Sequence, residues 1–280
     1  MPEEEGESLI HVSIRAEELF HIGPIVVTNS MVGALLASLV LLAAAWYFTR
    51  RSTLVPGRLQ GLIELPVEWL SGIVAGSTSR WRSYVGFITT IFLFVLTANW
   101  IGLLPGVGTI GLKHVDEAGH EALIPLVRPA SADLNFTLGL AIASFVMFVY
   151  WGVKANGARG YLRELLGEPL YMAPLMFPIN IISELSRLIS LSMRLFGNVF
   201  AGEVLLATML ALAPVIVPAI FLGLEALFGL VQAMVFALLS MTYITLAIAE
   251  HHRGGHEEGE EGEQDEPEHA PEHPAATAPA

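Results

Sequence analysis

Long apolar stretches alternate with short polar or basic stretches along most of this 280-residue chain. About 20 apolar residues are needed to cross a bilayer as a helix. Three stretches have the length of ordinary spans, at residues 25–48, 83–104 and 134–153. Two longer ones, 179–213 and 215–249, would each form a helix of ~52 Å, well beyond the hydrocarbon thickness of ~30 Å. The pattern predicts an all-α polytopic membrane protein whose last two helices form a long, tilted hairpin.

Between the first two predicted spans, apolar and polar positions alternate at helical spacing. The apolar positions are Leu59, Leu62, Ile63, Trp69, Leu70, Ile73 and Val74, and the polar ones are Gln60, Glu64, Glu68 and Ser71. This spacing predicts an amphipathic helix that lies in the membrane interface. Pro66 is expected to kink this helix or to mark a restart.

The composition supports a membrane protein, but the formal net charge of −13 requires an explanation. The acidity belongs to the two ends, because residues 21–249 hold twelve basic and eleven acidic side chains. We therefore predict an acidic N-terminal segment, residues 1–24, a membrane domain, residues 25–249, and a disordered acidic tail, residues 250–280.

Basic residues are distributed unequally between the two sides of the predicted membrane domain. Nine lie on the side of the C-terminus: Arg50, Arg51, Arg58, Arg80, Arg82, Lys154, Arg159, Arg163 and Arg253. Only Arg15, Lys113 and Arg128 lie on the other side. Because basic loops remain in the cytoplasm, we predict an outside N-terminus and a cytoplasmic C-terminus.

No cofactor or metal is predicted. The chain has no cysteine, which excludes disulfides and Cys-ligated metals. Residues 106–111 match the dinucleotide pattern G-x-G-x-x-G, but they follow a membrane span rather than a strand, so we interpret them as a loop. The five tail histidines are more typical of a solvated segment than of a metal site.

Several ionisable and amide side chains interrupt the long hairpin. They are Asn180, Glu184, Arg187, Arg194, Asn198 and Glu203 on the first helix, and Glu225, Gln232 and Tyr243 on the second. Such groups are costly at membrane depth and usually mark an ion pathway, the alternative being a structural ion pair that joins two helices. At 100° per residue, Arg194 shares a face with Arg187 and Asn198, and neither acid of its own helix is within reach.

Folding the hairpin near residue 215 predicts which side chains share a depth. Asn198 then lies level with Gln232, and Glu225 lies within about a turn of Glu203. No acid lies level with Arg194.

These depths predict two proton paths that end at a fixed positive charge. Two nearby carboxylates can take up and release a proton, whereas a guanidinium stays protonated. Two acids occupy the outer half of the hairpin, and Glu184 occupies the cytoplasmic half. The paths therefore stop at Arg194 from either side, and we infer that a partner subunit supplies a mobile carboxylate.

The hairpin contains a block that can be compared with a known family. Residues 190–203, SLSMRLFGNVFAGE, closely resemble the signature helix of the a subunit of F-type ATP synthases. Three further segments resemble the same family in order: ANWIGLLPG at 98–106, ADLN at 132–135 and QAMVFALL at 232–239. The resemblance covers most of residues 25–250.

The resemblance implies a stator subunit that is not an enzyme by itself. Arg194 would face the ring of c subunits, whose carboxylates exchange protons with two half-channels as the ring rotates. Asn198, Glu203, Glu225 and Gln232 would line the outer half-channel, and Glu184 would belong to the inner one. Relatives often have histidine at one of the two outer acid positions, whereas this chain has glutamate at both.

The implied partners are the c-subunit ring, the peripheral-stalk b subunits, the remaining ATP synthase subunits and the lipid bilayer, without nucleic acid. The implied location is the inner membrane of a bacterium. A self-contained secondary transporter or ion channel is the alternative, and it would conduct ions as a purified chain. A purely structural anchor is a third possibility, and its proton flux would survive the change Arg194→Ala.

Overall fold

The protein is mostly helical. The structure, a computed structural model, describes residues 16–23, 25–51, 57–77, 81–104, 107, 111–115, 121–167, 170–212 and 216–249. The helices in this part are α1 Asn29–Arg51, α2 Arg58–Ser77, α3 Val85–Ile101, α4 Leu134–Leu166, α5 Ala173–Leu212 and α6 Ile216–Ala249. Four of them, α1, α4, α5 and α6, are long and apolar enough to cross a membrane, and α3 is an apolar helix of 17 residues. The prediction of a helical membrane protein is confirmed.

Two short β-hairpins, which we did not predict, accompany the helices. Strands β1 Glu18–Ile22 and β2 Ile25–Thr28 pair antiparallel, as do β3 Gly111–Val115 and β4 Glu121–Pro125. The first hairpin uses residues that we assigned to the first span. Helix α1 therefore begins at Asn29, where the Thr28 hydroxyl accepts a hydrogen bond from the backbone N–H of Met31, as expected of an N-cap.

The predicted amphipathic helix is present as α2, which continues through Pro66. Leu70 and Val74, one turn apart, are fully buried and belong to the same core as residues of α3. Leu65 and Trp69 are exposed. Leu70 and Val74 therefore lie on the buried side that the pattern predicts, whereas Trp69, which the pattern assigns to the same apolar side, is exposed.

Helix α4 is longer than the predicted third span. It begins where a carboxylate oxygen of the buried Asp133 accepts a hydrogen bond, at 2.9 Å, from the backbone N–H of Asn135. It continues past residue 153 to Leu166, so the basic segment that we predicted as a loop is helical. Only Gly157 interrupts it, with φ 74° and ψ 156°, a conformation that residues with a Cβ rarely adopt.

The core lies where α3, α4, α5 and α6 meet. Leu191, Leu195 and Val199 repeat every fourth residue along α5 and form its buried side. Two buried hydroxyl pairs join helices: Thr137 with Ser192 at 3.1 Å, and Ser144 with Ser240 at 2.8 Å. The side of α5 opposite to the core is left open.

Several sequence-based predictions fall on residues outside the described part. These are most of the acidic N-terminal segment, the tail from residue 250 with its five histidines, the fold of the hairpin near residue 215 and most of residues 106–111. They remain predictions.

Candidate functional site

Helices α5 and α6 pair side by side in opposite directions. The Asn198 side-chain N–H donates to Oε1 of Gln232 at 2.7 Å, and the Arg187 guanidinium lies 5.5 Å from the centre of the Tyr243 ring. The lower-numbered residue of α5 thus pairs with the higher-numbered residue of α6, as in an antiparallel hairpin. The depth match between Asn198 and Gln232, which we predicted by folding the hairpin near residue 215, is confirmed.

Arg194 lies about halfway along α5, on its open side. Leu191 and Leu195 point into the core, whereas Met193, Arg194 and Asn198 are exposed. Within the residues that the structure describes, no carboxylate lies within ion-pair distance of Arg194. The prediction of a mid-helix cation without a carboxylate on its own helix agrees with this geometry. A charge so placed can act on a partner that packs against the open side.

A cavity of about 320 Å³ lies between α3, α5 and α6. Its polar lining consists of Asn99, Asn198, Glu225 and Gln232. Three buried polar atoms of these side chains have no hydrogen-bond partner in the described part of the chain: Oδ1 of Asn99, Oε2 of Glu225 and Nε2 of Gln232. Buried polar atoms nearly always have a hydrogen-bond partner. Three such atoms without a described partner in one cavity therefore indicate that the cavity holds water or a ligand.

Helix α3 positions the α6 side of this cavity. The Asn99 side chain donates to the carbonyl of Gly229 at 3.2 Å, and the Trp100 indole N–H donates to the carbonyl of Ala226 at 3.1 Å. A Cβ at Gly229 would lie only 3.2 Å from Cβ of Asn99, so glycine permits the close approach of the two helices. Glu225 and Gln232 flank this contact.

Glu203 has a partner that the sequence reasoning missed. Nη2 of Arg128 donates to Oε2 of Glu203 at 2.7 Å, and Nε donates to both carboxylate oxygens, at 2.9 and 3.1 Å. The prediction treated Arg128 only as a charge of the outer loop, whereas its side chain is buried. Glu225 also lies near Glu203, as expected. Gly202 precedes Glu203 in the chain, and a Cβ at Gly202 would lie 2.7 Å from Oε1 of Glu225.

On the other half of the hairpin, Glu184 forms an ion pair with Arg187. Nη1 of Arg187 donates to Oε1 of Glu184 at 2.8 Å. Arg187 was expected to share a face with Arg194, but this ion pair and the Tyr243 ring hold it in a half-buried position. Asn180, one turn before Glu184, donates to the carbonyl of Leu165 near the end of α4.

The site therefore combines three features along one hairpin. A cavity with an unpartnered carboxylate oxygen lies on one half, an exposed arginine lies at the middle, and a carboxylate lies on the other half. No group of three or more potential metal ligands occurs among the described residues.

Comparisons with known proteins show which chains this sequence is similar to. Residues 31–245 match the protein-family model described as ATP synthase A chain. An ATP synthase subunit a from Moorella thermoacetica is 31% identical over 232 residues, 82% of this chain and 95% of the relative. One from Campylobacter fetus is 34% identical over 223 residues, 79% of this chain and 90% of the relative. A sodium ion specific subunit a from Propionigenium modestum is 33% identical over 226 residues, 80% of this chain and 75% of the relative.

Proposed function

The chain belongs to the ATP synthase A chain family, and from this premise we propose that it is the membrane stator subunit of a rotary F-type ATP synthase. As a family member, it is a membrane subunit of the ATP synthase complex rather than a catalytic subunit. In the proposed mechanism, it provides two offset half-channels that pass protons to and from carboxylates of a c-subunit ring. Ion flow through these half-channels drives rotation of the ring.

The observation that carries the proposal is the exposed position of Arg194 at the middle of α5. A cation on the open side of a membrane helix needs a partner charge, and the described part of this chain supplies none. A ring carboxylate that passes along this side would be attracted in its deprotonated form. The guanidinium itself does not release its proton, so it blocks direct proton flow between the two halves.

The cavity beside Asn198 is the proposed outer half-channel. The cavity is large enough for several water molecules, and its polar atoms without described hydrogen-bond partners could bind them. Glu225 would receive a proton from this water, and Asn198 and Gln232 would line the path toward the ring. Glu203 would complete the outer group, next to the cavity. Asn198 is one turn, ~6 Å along the axis, from Arg194, so this path ends beside the proposed barrier.

The ion pair of Glu184 is the proposed entrance to the inner half-channel. Glu184 lies ten residues before Arg194 on α5, a separation of ~15 Å along the helix axis. A proton released from a ring carboxylate would leave past this side chain. The two half-channels would therefore open on opposite sides of the membrane, with Arg194 between them.

The remaining partners and the orientation follow from the same proposal. We expect peripheral-stalk b subunits, the other ATP synthase subunits and lipid to surround this chain in a bacterial inner membrane. The unequal distribution of basic residues supports an outside N-terminus and a cytoplasmic C-terminus. We take the proton as the transported ion, so functional assays are best made in sodium-free buffer.

A site-specific cross-linking experiment tests the contact with the ring. The chain has no cysteine, so one introduced cysteine is a unique attachment point for a photoactivatable maleimide. The variant Gly197→Cys places the probe on the open side, where a side chain would meet no described atom within 4 Å. We expect an adduct with the small c-subunit proteolipid in the assembled complex, identified by mass spectrometry.

The variant Leu39→Cys is the control, because Leu39 is exposed on α1 rather than on the hairpin. It should give lipid adducts without the proteolipid. If the probe at residue 197 also yields lipid alone in an intact complex, the assignment of the open side to the ring is wrong.

A further inference from the structure

One side of α4 presents a continuous apolar surface, while the other side packs into the core. Four exposed side chains repeat every fourth residue along it: Leu138, Ile142, Val146 and Tyr150. Residues four apart lie one above the other on a helix, so these side chains form a single surface, here called the α4 ridge. The next residue in this series, one turn beyond Tyr150, is the exposed Lys154. The ridge therefore ends at a positive charge.

Aromatic rings hold the ammonium group of Lys154 at this end of the ridge. Its Nζ lies 4.9 Å from the centre of the Trp151 ring and 5.6 Å from the centre of the Tyr150 ring, which is the range of cation–π attraction. The ring of Tyr84, the buried residue just before α3, meets Trp151 edge-on with 4.9 Å between the ring centres. Contact with Tyr84 thus fixes the ring on which the Lys154 charge rests.

A second cation comes from the 3₁₀ turn Trp81–Ser83, which directly precedes Tyr84. The guanidinium of the exposed Arg82 lies 5.5 Å from the centre of the Trp81 ring. The backbone N–H of Tyr84 donates to the carbonyl of Trp81 at 3.0 Å, so the turn is held against the start of α3. In the described part of the chain, neither Arg82 nor Lys154 forms an ion pair with a carboxylate. Two positive charges without a described counter-charge therefore accompany the Tyr84–Trp151 pair.

The dimensions of the α4 ridge fit one leaflet of a membrane. Ile142 and Lys154 are 12 residues apart, a distance of ~18 Å along a helix axis, and half of the hydrocarbon thickness is ~15 Å. Tyrosine and tryptophan are enriched at the boundary between the hydrocarbon and the headgroups. The ridge therefore has about the length of a lipid acyl chain, and its charged end lies at the level of the headgroups.

The combination of an apolar ridge with two cations selects the kind of molecule that fits. A free phosphate ion would use the charges but would leave the ridge uncovered. A zwitterionic phospholipid would cover the ridge, but its own cationic group neutralises its phosphate. An anionic phospholipid, such as phosphatidylglycerol, covers the ridge and also keeps a net negative charge that basic residues attract.

We propose that the α4 ridge, together with Lys154 and Arg82, binds one anionic phospholipid. An acyl chain lies along Ile142, Val146 and Tyr150, and a phosphate oxygen accepts a hydrogen bond from the Lys154 ammonium group. Arg82 contributes the second positive charge. This lipid site uses none of the residues of the proposed half-channels, so it does not depend on the function proposed above.

Photoactivatable lipids test the proposal in the assembled complex. The complex is reconstituted in phosphatidylcholine vesicles that contain a trace of a phospholipid with a diazirine in its acyl chain. The probe is either a phosphatidylglycerol or a phosphatidylcholine, and its adducts are located by mass spectrometry. We expect at least about fivefold more adducts within residues 138–150 from the phosphatidylglycerol probe, since each basic residue at the headgroups favours an anionic lipid by about that factor.

Substitutions of the two cations test their contributions. Lys154→Gln and Arg82→Gln should each lower the yield of phosphatidylglycerol adducts on the ridge about fivefold, whereas Lys154→Arg should retain it. Arg50→Gln is the matched control, because Arg50 also lies over an exposed ring, that of Trp46 at 4.5 Å, at the end of an exposed apolar side of α1. It removes a charge of the same kind and should leave the adducts on α4 unchanged.

Three results would overturn the proposal. Equal yields from the two probes would show that the ridge is an ordinary boundary with the bilayer. A ridge without adducts, in a chain that is labelled elsewhere, would show that another subunit covers it. A yield for Lys154→Gln equal to that of the Arg50→Gln control would remove the role of the charge. The yield should also withstand excess inorganic phosphate, and its loss there would assign the cations to a free anion and refute the lipid site.

Discussion

At the residue scale, a hydrogen bond of 2.7 Å between Asn198 and Gln232 joins the two helices of the hairpin. Gln232 is 3% exposed, and its Nε2 already lacks a partner in the described part of the chain. Asn198→Ala would also leave Oε1 without this donor. We expect a loss of about 1 kcal/mol in stability, since interhelical hydrogen bonds in membrane proteins are weak and unsatisfied buried groups are costly.

Thermal unfolding of the purified chain in detergent measures this effect. Asn135→Ala is the control, because the bond to Asp133 uses the backbone N–H of residue 135 and survives the change. A midpoint for Asn198→Ala equal to that of the Asn135→Ala control would show that the contact contributes nothing.

Helical spacing alone could predict the side chains that share a face or a depth of the hairpin. It predicts that Asn198 and Gln232 lie at the same depth. It also predicts that Arg194 is out of reach of the acids on its own helix. The partner of Glu203 could not be predicted in this way. Arg128 lies 75 residues away in sequence, and its position depends on the path of an irregular segment that carries no periodic pattern.

At the element scale, close backbone contact between α1 and the segment before α4 gives a test of packing. Gly33→Ala would put a Cβ in clash with the backbone carbonyl oxygen of Arg128, so one of the two backbones must move. We expect a loss of about 1–3 kcal/mol, the usual cost of overpacking. Thermal unfolding in detergent measures it.

Gly139→Ala is the matched control, a helix-interior glycine of α4 with no described atom within 4 Å of the added Cβ. It should be neutral or gain up to ~1 kcal/mol in helix propensity. Equal stability of the two variants would contradict the observed packing of α1.

The helices could be predicted from apolar length, but their ends depend on local backbone features. Thr28 caps α1, which begins four residues after the predicted start of the span, and α4 continues through the irregular Gly157. The β-hairpins were missed because strands of four and five residues are too short to show a clear alternating pattern.

At the scale of the whole molecule, one side of the long hairpin is covered by α3 and α4, and the other side is open around Arg194. Membrane segments hide polar groups against protein or water, so this open side requires a partner. The sequence could predict a partner because no acid lies level with Arg194 in the folded hairpin. The structure agrees, since no described acid is within ion-pair distance of Arg194. The shape of the complete pathway depends also on the surface of that partner.

The most direct test of the central claim is ATP synthesis by membrane vesicles under an imposed proton gradient, in complexes that carry Arg194→Ala. Arg159→Ala, an exposed arginine of α4, is the control and should retain synthesis. We predict that synthesis by Arg194→Ala falls to background, on the order of a hundredfold or more, because the barrier and the attraction for the ring carboxylate are lost together. Synthesis by Arg194→Ala at the level of the Arg159→Ala control would contradict the assignment of Arg194 as the charge that separates the two half-channels.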